Sequence, residues 1–238
     1  MKKTFMVIGL GRFGSCIARV LVNNKCDIIA IDKNEKSVRD LSKIVNNCVI
    51  ADSTSLSVLS DLDAGKVDHC VVAIGNNLQS SILTVINLKK LGVKKITVRA
   101  DDITYKEVFE ALGATDVIVP EESSAISLAN QITSDSVLDY YGVSADYAMV
   151  KVIVGKQFVS KNLIELNLRS LFDVNIVGIT RNNKFFIPRG TDCIEPSDVV
   201  VVVGTRSKIS KLDDFFNKVP EVKKKEKNTD KETKEKKK

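Results

Sequence analysis

Hydrophobic and polar positions divide the chain into two regimes. From Phe5 to Pro120, short Val/Ile-rich runs alternate with segments of helical spacing. The runs are 5–10 (FMVIGL), 27–32 (DIIAID), 48–52 (CVIAD), 69–75 (HCVVAIG), 96–100 (ITVRA) and 116–120 (DVIVP). Their near-continuous apolarity predicts parallel strands covered on both faces. Between them, Ile17, Val20 and Leu21, then Val38, Leu41 and Ile44, then Leu78, Ile82, Leu83 and Ile86, recur at helical intervals. Six strands alternating with helices predict an α/β, Rossmann-type, doubly wound parallel sheet. Residues 121–141 read as one further helix, with Ala125, Leu128, Ala129, Ile132, Val137 and Leu138 on its apolar face.

After Gly142 the pattern changes to short strands at 147–154, 174–181, 184–188 and 198–204. A helical stretch lies between them from Leu163 to Leu171, and another closes the region around 208–217. Asn182-Asn183 between two strand runs predicts a hairpin turn at positive φ. This is a second, smaller α+β domain. The expected division is 1–140, 141–219, and a disordered lysine-rich tail over 220–238.

Charge sharpens that division. The formal net charge is +6, yet the stretch 221–238 holds nine lysines and five acids and so carries +4 of it. The body is left with +2, which argues against a nucleic-acid partner. The tail is too polar to bury a core. Composition is otherwise that of a folded globular chain, at 44% hydrophobic and 28% charged. No apolar run approaches the roughly 20 residues of a membrane span. The lysines at positions 2 and 3 do not begin a signal peptide, because Gly9, Gly11 and Arg12 interrupt the apolar run that follows. The five cysteines occur singly and fit buried thiols of a reducing cytosol. The single histidine, His69, starts a strand and reads as structural.

The chemistry concentrates in Gly9-Leu10-Gly11-Arg12-Phe13-Gly14, a GxGxxG between a strand and a helix. Gly9 permits the tight turn, Gly11 lets the backbone approach a pyrophosphate, and Gly14 allows close helix–strand packing. The helix N-terminus then offers free amides to phosphate. Asp32 ends the next strand about 20 residues on, where a carboxylate accepts ribose hydroxyls. It also disfavours a 2′-phosphate, so NADP is disfavoured against NAD(H), ATP, ADP or AMP, with Lys33 beside it softening the exclusion. Asp52-Ser53 and Gly75-Asn76-Asn77 follow the third and fourth strands, and read either as adenine and switch-point contacts or as ordinary turns with Asx or Ser capping. Arg12 places a cation near the phosphates or faces solvent, and Arg99 ends a strand near the same crevice. A dehydrogenase needs an acid or base beside the nicotinamide. None stands out, which leaves a binding and sensing role ahead of the alternative, an NAD-dependent oxidoreductase.

Taken together, VIGLGRFG (7–14), IAID (29–32), IADST (50–54), CVVAIG (70–75), ITVRA (96–100) and VIVPEE (117–122) resemble the RCK (KTN) domain of potassium-transport regulators, the Ktr/Trk gating-subunit family. Residues 162–182 and 195–204 are similar to that family's small C-terminal lobe. The resemblance covers about residues 4–217 and implies a non-enzymatic, cytoplasmic regulatory subunit at the inner face of the membrane. It implies dimers assembled into an octameric ring on a membrane potassium channel or transporter, switched by ATP against ADP. Arg12 matches the position that reaches the γ-phosphate of a neighbouring subunit's nucleotide. Glu121 matches a position associated with a divalent cation, Mg²⁺ or Ca²⁺, and its residue type alone also fits a helix cap. Several relatives bind cyclic di-AMP in the C-terminal lobe; the matching positions are Leu163, Ile164, Arg169, Asn175, Ile176 and Pro188. Val174 stands beside that asparagine, where an aromatic or a histidine is sometimes expected.

Overall fold

The computed structural model describes residues 2–75, 77–133 and 136–217. The tail expected to be disordered, 220–238, lies outside them, as does Asn76. The chain separates into two compact units dividing between Ser124 and Ala125.

The first unit is the doubly wound sheet that the alternation predicts. Its strands are β1 (Thr4–Ile8), β2 (Asp27–Asp32), β3 (Cys48–Ile50), β4 (His69–Val72), β5 (Ile96–Arg99) and β6 (Asp116–Ile118). The intervening helices are α1 (Arg12–Asn23), α2 (Glu35–Leu41), α3 (Leu56–Asp61), α4 (Leu78–Lys90) and α5 (Lys106–Leu112), and α6 (Pro120–Ile132) follows β6. All strand pairs are parallel, in the order β3-β2-β1-β4-β5-β6. Two hydrophobic cores flank the sheet, and β1 feeds both. Met6 and Ile8 join the core with Leu59, Leu88 and Phe109, while Val7 joins the opposite one with Ala18, Val38 and Leu41. Because the order reverses direction at β1, the loops after β1 and β4 splay apart and open a crevice at the carboxyl ends of the strands.

The second unit is a five-stranded antiparallel sheet. Its strands are β7 (Val137–Gly142), β8 (Tyr147–Ile153), β10 (Val174–Arg181), β11 (Lys184–Phe186) and β13 (Val199–Thr205), in the order β11-β10-β13-β8-β7. A two-stranded ribbon pairs β9 (Lys161–Asn162) with β12 (Cys193–Ile194). The helices are α7 (Leu163–Leu166), α8 (Leu168–Phe172) and α9 (Arg206–Asn217). Val150, Val152, Val200 and Val202 from the central strands pack with Ile209, Leu212 and Phe216 of α9. At the hairpin between β10 and β11, Asn182 and Asn183 adopt φ of 50° and 61°, the left-handed pair that a two-residue turn requires.

Two sequence expectations are corrected. Residues 121–141 are not one helix: α6 ends at Ile132, and 137–142 form the edge strand β7. The Val, Leu and Tyr residues there match a helical spacing by coincidence. Pairing with β8 places Tyr140 against the core and Asp139 beside Lys151 on the other face, at 2.8 Å. Tertiary pairing overrides helix propensity here. The helix expected over 163–171 is likewise two short ones, broken at Asn167, whose φ is 44°.

The second unit contains a buried ion pair. Asp198 is 1% exposed and accepts Arg181 Nε at 2.8 Å and Nη2 at 2.7 Å, while Glu195 Oε1 accepts Nη1 at 2.5 Å. The Cys193 carbonyl accepts Nη2 at 2.8 Å, and the Glu195 amide donates to Asp198 Oδ2 at 2.8 Å. These acids push the guanidinium pKa further up, the Asp198 hydrogen bonds acting most strongly. Removing one member of such a pair strands the other. Arg181→Met is expected to cost about 3 kcal/mol in urea unfolding, and Arg181→Met/Asp198→Asn to recover part of it. Lys151→Met, at an exposed pair, is expected to cost less than about 1 kcal/mol.

His69 allows a second test. Its Nε2 lies 2.8 Å from Thr97 Oγ1 and its ring lies beside Phe5. Burial lowers its pKa, Lys95 adds to the effect, and Asp116 opposes it. The folded state therefore holds the proton more weakly than the unfolded state. His69 then favours folding fully above its unfolded pKa of about 6.5, and that contribution is lost as pH falls toward the folded pKa. As the single histidine, its NMR titration is expected to have a midpoint below 6.5. His69→Gln is expected to reduce the fall in Tm on acidification through that range.

Candidate functional site

The crevice begins at the glycine loop, where three glycines meet different surroundings. Gly9 sits at φ +90°, and its N–H donates to the Ile31 carbonyl at 2.8 Å. A Cβ on Gly9 would come within 2.8 Å of the Ala73 and Ile74 backbone, so the loop is pressed against the end of β4. A Cβ on Gly14 would lie 1.9 Å from the Gly9 carbonyl oxygen, so α1 packs onto the loop without room for a side chain. A Cβ on Gly11 would meet nothing within 4 Å. Gly9 and Gly14 are therefore demanded by the fold, whereas Gly11 leaves space open.

That space lies at the N-terminus of α1. Gly11 caps the helix without a side-chain hydrogen bond, and its first turn holds no acidic residue. The Ser15 amide is the first to reach back, donating to Gly11 O at 3.0 Å. The preceding amides of the first turn are left free for an anion.

Asp32 faces the loop from the end of β2. Its Oδ2 accepts the Leu10 N–H at 2.6 Å and its Oδ1 the Asn34 N–H at 2.8 Å. A carboxylate has about four acceptor positions, so both oxygens can still take hydroxyl donors. Asp52 is tied locally: Thr54 donates its N–H at 2.9 Å and its hydroxyl at 2.7 Å, which hold the carboxyl below the usual carboxylate range. Ser53 is buried, and its hydroxyl lies 3.0 Å from Thr84 Oγ1. Asn77 caps α4 by accepting the Ser80 N–H at 2.9 Å.

The structure gathers Gly9, Gly11, Asp32, Lys33, Asp52, Ser53 and Gly75 around one cleft of about 220 Å³. Arg12 is exposed at the first position of α1, Phe13 is half-buried and Gly14 is buried; none of the three lines the cleft. Arg99 lies behind it, with Nη1 3.1 Å from where a Gly75 Cβ would stand. Asn77, read from the sequence with Gly75, also lines the cleft, as do Thr54 and Ser80, which the sequence reading did not single out. The Asn77–Ser80 spacing, a helix-capping signal, would have located Ser80.

Glu121 Oε1 accepts Arg99 Nη2 at 2.6 Å, a contact that draws its pKa down. Among the described residues, no three His, Cys, Asp or Glu side chains cluster as a metal-ligand set. In the second unit, the Leu163 and Ile164 amides donate to the Asp192 and Gly190 carbonyls, both at 3.1 Å, which ties α7 to the segment after Pro188. Arg169 on α8 and Asn175 on β10 are exposed, and Ile176 packs against the core.

Comparison with known proteins agrees with this layout. Residues 5–120 match the TrkA-N domain and residues 147–217 the TrkA-C domain. Ktr system potassium uptake protein C of Bacillus subtilis (strain 168) is 38% identical over 214 residues, covering 90% of this chain and 97% of that protein. Ktr system potassium uptake protein A of the same organism is 32% identical over 212 residues, covering 89% and 96%. The GsuK RCK domain superposes with a TM-score of 0.65 at 15% identity, over 93% of this chain and 49% of that one, a likeness of fold. With both domains matched in order and two relatives matched over nearly their whole length, this chain belongs to the Ktr/Trk family of potassium uptake proteins.

Proposed function

We propose that the chain is a nucleotide-sensing gating subunit of a potassium uptake channel or transporter, not an enzyme. The observation that carries this reading is the open space at Gly11, bordered by the α1 N-terminus and faced by Asp32. A diphosphate or triphosphate fits there, its charge met by free amides and the helix dipole. The Asp32 carboxylate takes the ribose hydroxyls and repels a 2′-phosphate. ATP and ADP are the primary ligands, and NAD(H) satisfies the same contacts.

The cleft's titratable side chains are Asp32, Lys33 and Asp52, and Thr54 already engages Asp52. They serve to bind ribose, phosphate and adenine rather than to move protons. The first unit is assigned to sensing and the second to regulation. The exposed Ile164 and Arg169 of the second part offer apolar and cationic contacts to cyclic di-AMP. Among the described residues no helix is long and apolar enough to cross a membrane. The subunit is assigned to the cytoplasmic face, peripheral to a membrane-embedded partner. Assembly into dimers and then an octameric ring is supported by α6, which buries none of its described residues and exposes Ile126, Leu128 and Ile132. Glu121 would hold Mg²⁺ or Ca²⁺ through its second carboxylate oxygen, Oε1 being shared with Arg99.

Gating requires unequal binding to two ring shapes. Arg12, exposed at the head of α1, is assigned to the γ-phosphate of a neighbouring subunit's nucleotide, a contact available with ATP and missing with ADP.

Gly11→Ala is expected to weaken ATP binding at least about tenfold by calorimetry while moving Tm by no more than about 3 °C. Gly14→Ala is expected to destabilise the fold itself. ATP affinity unchanged in Gly11→Ala would remove the basis of the reading, and nicotinamide-dependent turnover would replace it with an oxidoreductase. In reconstituted transport, Arg12→Ala is expected to shrink the ratio of ATP to ADP effects on K⁺ flux toward one, from an ordinary coupling of about 5–150-fold.

A further inference from the structure

Among the described residues, the buried side-chain polar atom that lacks a partner is Arg99 Nε. Each terminal nitrogen of that guanidinium contacts one carboxylate. Nη1 pairs with Asp101 at 3.0 Å and Nη2 with Glu121 at 2.6 Å. The arginine side chain is only 14% exposed, whereas Asp101 and Glu121 are 49% and 64% exposed. The group therefore sits inside the unit and reaches out to two surface carboxylates. It fills the space behind Gly75, whose front lines the nucleotide cleft. The Asn77 amide donates to the Gly75 carbonyl at 2.5 Å. Glu121 lies in the first turn of α6.

We propose that Arg99 is a positioning residue that links nucleotide in the cleft to α6, by holding the first turn of α6 through Glu121 against the back of the Gly75 turn. This rests on the nucleotide reading above and adds the route by which occupancy is passed on. A ligand on the front of the turn alters the backing on which the guanidinium rests. With Nε unpaired, the cation is held in place by its two carboxylates, and a displacement of it would loosen one of them. Two arrangements of one cation, biased differently by an empty and a filled cleft, make a switch. Guanidinium geometry is essential to it, because a lysine ammonium cannot fork between two carboxylates and back a turn at once.

The test is amide hydrogen exchange in the full chain over residues 119–124, with and without ATP, alongside calorimetry of ATP on the same samples. In the wild type, saturating ATP is expected to change exchange there by about tenfold, within ordinary site-to-site coupling. In Arg99→Met and Arg99→Lys, at ATP concentrations that calorimetry shows to saturate each, that response is expected to be lost. Glu121→Gln, which keeps Arg99 buried, is expected to lose it as well. A merely structural arginine would raise exchange throughout the unit and leave the ATP response at 119–124 in place, which would overturn the proposal. ATP bound to the wild type with no response at 119–124 would overturn it too. A wild type that binds neither ATP, ADP nor NADH would instead overturn the nucleotide reading, and the link with it.

Discussion

The hydrogen bond from the Leu10 amide to Asp32 is the contact on which the first unit's site depends. It joins the glycine loop after β1 to the end of β2, and the Gly9 amide reinforces it by donating to Ile31. With the loop held from that side and pressed against Ala73 from the other, α1 can start only where it does. The same carboxylate that aligns the loop also faces the cleft. Loop shape and ligand chemistry are thus not separable at Asp32: a neutral or shorter side chain there would alter both. This economy constrains how the site can vary, because the acid cannot be exchanged without loosening the turn that leads into α1.

Much of the first unit was legible in the sequence because its elements are defined by local pattern. Parallel strands buried on both faces must be apolar throughout, and β1, whose residues alternate between two cores, reads as FMVI for that reason. Turns with special backbone demands were legible as well, as at Asn182-Asn183. The stretch from 133 to 142 was not. Its apolar spacing satisfies a helix as well as a strand, and the deciding factor is the edge of β8, which lies later in the chain. Asn167 is a milder instance: a left-handed asparagine within an otherwise helical pattern leaves little compositional trace.

The site shows the same division. The glycine spacing and Asp32 could be read directly, since each meets a need set by its neighbours. What the spacing did not distinguish is that Gly14 and Gly11 are small for opposite reasons, one crowded by the Gly9 carbonyl and one facing open space. Nor did it pair Arg99 with Glu121, whose separation of 22 positions is bridged only when β5 and β6 lie side by side. Arg99 and Glu121 were each read as ligand-facing, and the structure adds that they engage one another. Ser53 was found from its place at a strand end, but its hydroxyl faces Thr84 on α4, a partner that only the packing of that helix supplies.

The Arg181–Asp198 pair has a consequence for a protein of a potassium-handling family, whose surroundings change in ionic strength. Mobile ions weaken attraction between exposed charges, with a screening length of about 8 Å near physiological salt. The exposed Lys151–Asp139 contact is open to that weakening. Asp198, 1% exposed and paired with Arg181, is open to it far less. The Arg181–Asp198 pair of the second unit therefore follows salt less closely than the exposed Lys151–Asp139 contact on the same sheet.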